Sequence, residues 1–178
     1  MACSTPRPAN RSRAWVVATA PAGPQALFFG PDEQPTWPGW DALHERQWPG
    51  TMTATAAAGN GQLSHGLYRG LASDADLVLV QVRNDRQGIS DEAIVRALQW
   101  LAENAAALGL RVVNISLGGA RRADLRRNPI DEAVAALAAQ NVVVTAAAGN
   151  AGVRALNPPA TAPAALTIGG IDAHHTFS

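Results

Sequence analysis

Short runs of aliphatic and β-branched residues alternate along this chain with longer stretches whose apolar positions recur every three or four residues. Residues 111–117 (RVVNISL) form one such run and lead into Gly118 and Gly119; residues 141–147 (NVVVTAA) form another and lead into Gly149 and Asn150. Two buried parallel strands joined by a crossover helix have this appearance in sequence. Residues 76–83 (DLVLVQVR) read as a further buried strand, 165–168 as the last, and 14–18 and 26–29 as short strands near the start.

The helical stretches carry their own start and stop signals. Ser90 caps a helix with Asp91 and Glu92 in its first turn, where the positive end of the helix dipole favours negative charge. Its apolar positions Ile94, Ala97, Leu98, Leu101, Ala102 and Ala105 fall on one face, and Gly109 stops it. Asn128 caps the next, with Pro129 at the first helical position, Asp131 and Glu132 following, and Ile130, Val134, Leu137 and Ala138 as the buried face. Residues 50–58 (GTMTATAAA) read as a buried helix whose small side chains let it pack closely against a sheet, ended by Gly59, Asn60 and Gly61. Alternating strands and helices predict an α/β fold with a mostly parallel central sheet, right-handed crossovers and helices on both faces. Residues 1–13 read as a disordered arm and 14–178 as one domain; residues 31–50, with Trp37, Trp40 and Trp48, read as a long structured loop.

Composition narrows the function classes. With 47% hydrophobic and 16% charged residues the chain has the means to fold around a core. A net charge of zero gives no electrostatic case for nucleic acid, and no apolar run approaches the roughly 18 residues of a membrane span. Cys3 is alone, so neither an internal disulfide nor a cysteine metal site is expected. Arg7, Arg11 and Arg13 before residues 14–20 give a faint secretory-leader pattern, but the apolar part is short and a first core strand is the better reading. Neither glycine cluster matches a dinucleotide or Walker loop.

The candidate chemistry lies at the strand ends, where open α/β sheets place ligands. Asn150 is either an amide donor for a developing oxyanion or a turn asparagine between glycines. Ser116, Leu117, Gly118 and Gly119 either offer backbone groups to an extended peptide or form a tight turn. Arg121, Arg122, Arg126 and Arg127 make a basic loop that is either an anion site or a solvated surface.

In combination these segments resemble the subtilases, the subtilisin-like serine peptidases. VVNISLGG (residues 112–119) is similar to the family's substrate-lining strand, and VVVTAAAGNAG (142–152) to the strand bearing the oxyanion-hole asparagine. GTMTATAAAGN (50–60) is similar to the helix that starts at the catalytic histidine. Gly70-Leu71-Ala72, the ALTIGGID stretch (165–172) and Phe177-Ser178 add to the likeness, which runs from about residue 48 to 178. The resemblance implies a three-layer subtilisin-like fold whose C-terminal part is missing, serine endopeptidase chemistry, an extended peptide as partner, and Asn150 as the oxyanion-hole residue.

The same resemblance implies that the catalytic triad is not filled. Pro49 stands where the family has histidine, and His44 is five residues away from that place. The first strand leads to Ala18, Thr19 and Ala20 where an aspartate is expected, and the family's Gly-Thr-Ser-Met-Ala does not occur in residues 151–178. Subtilases often hold calcium after the histidine helix; here Asn60 and Gln62 are present without a carboxylate, which leaves calcium possible but unsupported, and no other cofactor is expected.

Overall fold

The computed structural model describes residues 12–17, 24–28, 48–84, 88–119, 128–150 and 156–170. They belong to two compact units.

The first unit contains strands β1 (Ser12–Val17), β2 (Gln25–Phe28) and β3 (Leu77–Gln81) in the order β2-β1-β3, together with helix α1 (Trp48–Ala58). Strand β1 begins two residues before the expected 14, so Ser12 and Arg13 belong to it; the earlier residues of the expected arm lie outside the described set. β3 is half-buried along its length, against the expectation of a fully buried strand. Helix α1 corrects a second expectation. Met52 is 52% exposed, and of the residues from Gly50 onward only Ala58 is buried, so the helix does not press a small-residue face onto a sheet. The small residues serve a different close approach. Gly70 and Ala72 donate their N–H groups to Gly59 O and Ala57 O, both at 2.8 Å, and a Cβ on Gly70 would stand 2.6 Å from Ala58 N. The loop backbone lies directly on the end of the helix, which only glycine at position 70 permits.

The second unit is the α/β portion. A two-stranded ribbon, β4 (Arg83–Asn84) with β5 (Gly88–Ile89), pairs antiparallel and precedes helix α2 (Asp91–Leu108). Strand β6 (Val112–Ile115), helix α3 (Pro129–Ala138), β7 (Val143–Ala147) and β8 (Ala165–Ile168) follow. The sheet order is β6-β7-β8, with both neighbours parallel. The caps are those expected: Ser90 Oγ accepts from Ala93 N at 3.2 Å, Asn128 Oδ1 from Ile130 N at 2.9 Å, and Gly109 closes α2.

The core of this unit lies between the two helices and one face of the sheet. α2 packs on α3, and α3 packs on β7 and β8. Ala93, Ile94, Ala97, Leu98, Leu101 and Ala105 of α2 are buried, as are Ile130, Ala133, Val134 and Leu137 of α3; Ala102 and Ala138, expected in the faces, are half-buried. From the sheet come Val113, Ile115, Val144 and Ala146, which a register pairing Val113 with Val144 and Ile115 with Ala146 sets on the same side. The alternate positions stay open: Val112 is 58% exposed, Val143 46%, Leu166 57% and Ile168 57%. Among the described residues the sheet is therefore covered on one face, and the expectation of strands buried on both sides is corrected to a period-two pattern.

Candidate functional site

Parallel pairing decides which loops meet. Ile115 is opposite Ala146, so the extension of β6 into Ser116, Leu117, Gly118 and Gly119 and the extension of β7 into Ala148, Gly149 and Asn150 leave the sheet at the same carboxyl end. Ala148 N still donates to Ile168 O at 2.9 Å, which keeps the start of the second extension in line with β8. Gly149 then turns the chain with φ of +92°, and Asn150 is exposed at the bend. Asn150 is thus an exposed amide at the carboxyl end of a parallel strand, where open α/β sheets place ligands, and it follows a glycine turn as the alternative reading also expects.

The β6 extension is held on both sides. Ser116 Oγ accepts from Asn114 Nδ2 at 2.9 Å, and Asn114 Oδ1 accepts from Thr145 Oγ1 at 3.0 Å. These three side chains join β6 to β7 on the open face of the sheet. On the other side Gly119 N–H donates to Pro158 O at 2.7 Å, in the turn that contains the cis Pro158-Pro159 bond. A Cβ on Gly119 would lie 2.6 Å from Ile130 Cδ1 and 2.7 Å from Asp91 Oδ1, so the first turns of α2 and α3 both reach this residue. Gly118 faces open space except for Asn157 Cβ and Pro158 O, each 3.8 Å from where its Cβ would stand.

The Pro158 turn is itself fastened to α3. Thr161 Oγ1 lies 3.1 and 3.0 Å from the two carboxylate oxygens of Asp131. Burial raises the Asp131 pKa above its ordinary value, and the Thr161 hydrogen bond opposes that shift. Two polar atoms near the strand end are buried without a hydrogen-bond partner among the described residues, Asn128 Nδ2 and Asn157 Oδ1.

Not every anticipated residue enters this arrangement. Pro49 stands in the first turn of α1, where the absence of a proline N–H costs nothing. Thr19, His44, Ser178 and the arginine loop of Arg121, Arg122, Arg126 and Arg127 lie outside the described residues. The loop after α1 does not fit the calcium that the family resemblance raised: it has no carboxylate, and Asn60 Oδ1 accepts from Gln62 N at 3.0 Å. Among the described residues no three His, Cys, Asp or Glu side chains are grouped to hold a metal. Sequence reasoning missed Asn114, Thr145, Asn157 and Pro158. A period of two places Asn114 beside Ser116, so that pair had a local signal; the contact of Pro158 with Gly119 had none.

Comparison with known proteins identifies the family of the chain. The model of the subtilase family matches residues 32–178. A cuticle-degrading serine protease of Arthrobotrys oligospora is 34% identical over 135 residues, covering 72% of this chain and 32% of that protein. Serine protease AprX of Bacillus subtilis is 31% identical, covering 72% and 31% respectively. Among solved structures, sphericase superposes with a TM-score of 0.57 at 29% identity, over 69% of this chain and 40% of its own. The chain thus spans about a third of the length of the two proteases it matches. With the family model matched over most of its length, the chain belongs to the subtilase family.

Proposed function

We infer that these residues form the substrate-holding side of a subtilase site, and that the 178-residue chain binds an extended peptide without cleaving it. The observation that carries the reading is the β6–β7 register, which sends residues 116–119 and Asn150 out of the same end of the sheet. The peptide lies along residues 116–119 by main-chain pairing, and Asn150 faces a peptide carbonyl. Family membership supports serine peptidase chemistry for a complete domain. In this chain Pro49 has no group able to take a proton, and no Gly-Thr-Ser-Met-Ala is present to supply the nucleophile. An oxyanion hole without its triad retains only a small part of the rate enhancement.

The test pairs an activity probe with a binding measurement on the purified chain. No covalent labelling by a fluorophosphonate and no turnover of a chromogenic peptide are expected, while a fluorescein-labelled extended peptide raises anisotropy on titration. Gly118→Val, which the open surroundings of that residue tolerate, abolishes the rise. Stoichiometric labelling with turnover would overturn the non-catalytic reading.

A further inference from the structure

We propose that Asn60 is a self-modifying position, converted by the chain's own backbone into aspartate and isoaspartate, and that the conversion releases the loop that Gly70 holds against α1. This is independent of any peptide bound at the strand ends. Residues 60 and 61 are the one Asn-Gly pair in the sequence. Gly61 has no Cβ to shield its nitrogen, whereas Val142 after Asn141 and Ala151 after Asn150 do. Asn60 is half-buried, so water reaches it. Its Oδ1 accepts from Gln62 N at 3.0 Å, an Asx turn that folds the side-chain carbonyl back over the peptide unit between residues 60 and 61. The turn brings Cγ toward the nitrogen that attacks it, and the Gln62 N–H supports the negative charge that develops on Oδ1.

Hydroxide or water takes the Gly61 N–H proton, and the nitrogen adds to Asn60 Cγ. The new Cγ–N bond closes a succinimide ring, and the Cγ–Nδ2 bond breaks, its nitrogen leaving as ammonia with a proton from water. Water then opens the ring. Cleavage at Cγ leaves aspartate, and cleavage at the main-chain carbonyl leaves isoaspartate, whose backbone runs through Cβ and Cγ; no oxidant or reductant takes part. The site lies between two anchorages. Gly59 O accepts from Gly70 N at 2.8 Å, and Gly61 O accepts from Gly66 N at 2.8 Å and Ser64 N at 3.0 Å. Isoaspartate inserts an extra main-chain carbon between these points, so both cannot keep their register. Either product also puts a negative charge just past Ala58, at the negative end of the α1 dipole. Loss of the Gly70 bond frees the peptide unit between Arg69 and Gly70, which the native contact holds against the helix.

Ageing the purified 178-residue chain at pH 8 tests this, read by peptide mapping with mass spectrometry and by methyl transfer from labelled S-adenosylmethionine with an isoaspartyl methyltransferase. The peptide holding residue 60 is expected to gain the mass difference between OH and NH2 ahead of those holding Asn141 and Asn150, and to take up label. Trypsin is expected to cut after Arg69 about 10-fold faster in the aged chain than in the fresh one. Asn60→Ser keeps a side-chain oxygen for the turn and has no carboxamide, so it takes no label at this position and its cleavage after Arg69 stays constant with age. Circular dichroism confirms that this variant folds, and the comparison of fresh with aged parent needs no variant. An unmodified residue 60 once Asn150 has converted overturns the proposal, because the fold then keeps Gly61 N away from Cγ. Conversion without faster cleavage, or the same rise in Asn60→Ser, overturns the release of the loop.

Discussion

Gly119 gives its N–H to Pro158 O at 2.7 Å, and this bond joins the end of β6 to a turn 39 residues further along the chain. Any side chain at that place would have to displace two neighbouring side-chain tips. A methyl group would meet Ile130 Cδ1 at 2.6 Å and Asp91 Oδ1 at 2.7 Å. Ile130 is fully buried, so its tip has little room to move, while the half-buried Asp91 carboxylate would have to turn away. Gly119→Ala is expected to cost about 1–3 kcal/mol, in the range of overpacked cores, and to lower Tm by several degrees. A melting temperature within one degree of the parent would show that the strand end is looser than this geometry.

Asp131 makes the other anchorage of the same turn pH-dependent. Its pKa is raised from the ordinary 3.8 by burial, so the folded chain holds this proton more tightly than the unfolded chain does. The group's contribution to stability is complete below 3.8 and is lost as pH rises through the raised folded value. Thr161→Val removes the hydroxyl that opposes the shift, so the folded pKa rises further. Urea melts should therefore show a larger loss at pH 7, about 1 kcal/mol for a half-buried charge-assisted bond, than at pH 4. An equal loss at both values would mean that the Thr161 hydroxyl does not bond the ionised carboxylate.

Much of this was legible in the chain, for identifiable reasons. Ser90, Asn128, Pro129 and Gly109 fixed the helix ends because capping is chemistry between near neighbours, and the structure places the helices within a residue or two of those signals. The parallel pairing of β6 and β7 followed from apolar runs separated by a helix. The one-sided burial did not, since Val112 and Val143 are no less apolar than Val113 and Val144 and nothing local tells the two faces apart. Helix α1 was misplaced for a related reason. Small residues signal close approach, but the sequence does not say whether a sheet or the Gly70 loop is the neighbour. The closeness of Asn157 to Gly118 had no local signal, since the two are far apart in sequence.

The two helix caps should respond differently to substitution. Ser90→Ala removes a plain cap, with Oγ accepting from Ala93 N at 3.2 Å, and should cost about 1 kcal/mol. Asn128 is 3% exposed and caps Ile130 N, yet its Nδ2 has no partner among the described residues. Asn128→Ser keeps a capping oxygen and removes the buried unpaired donor. The gain offsets the small void left behind, so stability should be unchanged or higher. A loss in Asn128→Ser as large as that in Ser90→Ala would indicate that Nδ2 is satisfied in solution.

The sheet's two faces give the sharpest contrast. Val144 and Leu166 sit on neighbouring paired strands, Val144 at 1% exposure toward α3 and Leu166 at 57% on the opposite face, the face that register gives to Thr145. Val144→Ala leaves a hole between β7 and the helix layer and should cost about 2 kcal/mol. Leu166→Gln and Val112→Gln take apolar surface from water-exposed positions and should fall within about 0.5 kcal/mol of the parent. Denaturant midpoints at constant m-value measure all three. If the glutamine variants lose as much as Val144→Ala, the outer face is covered in solution and the one-sided core described for these residues is wrong.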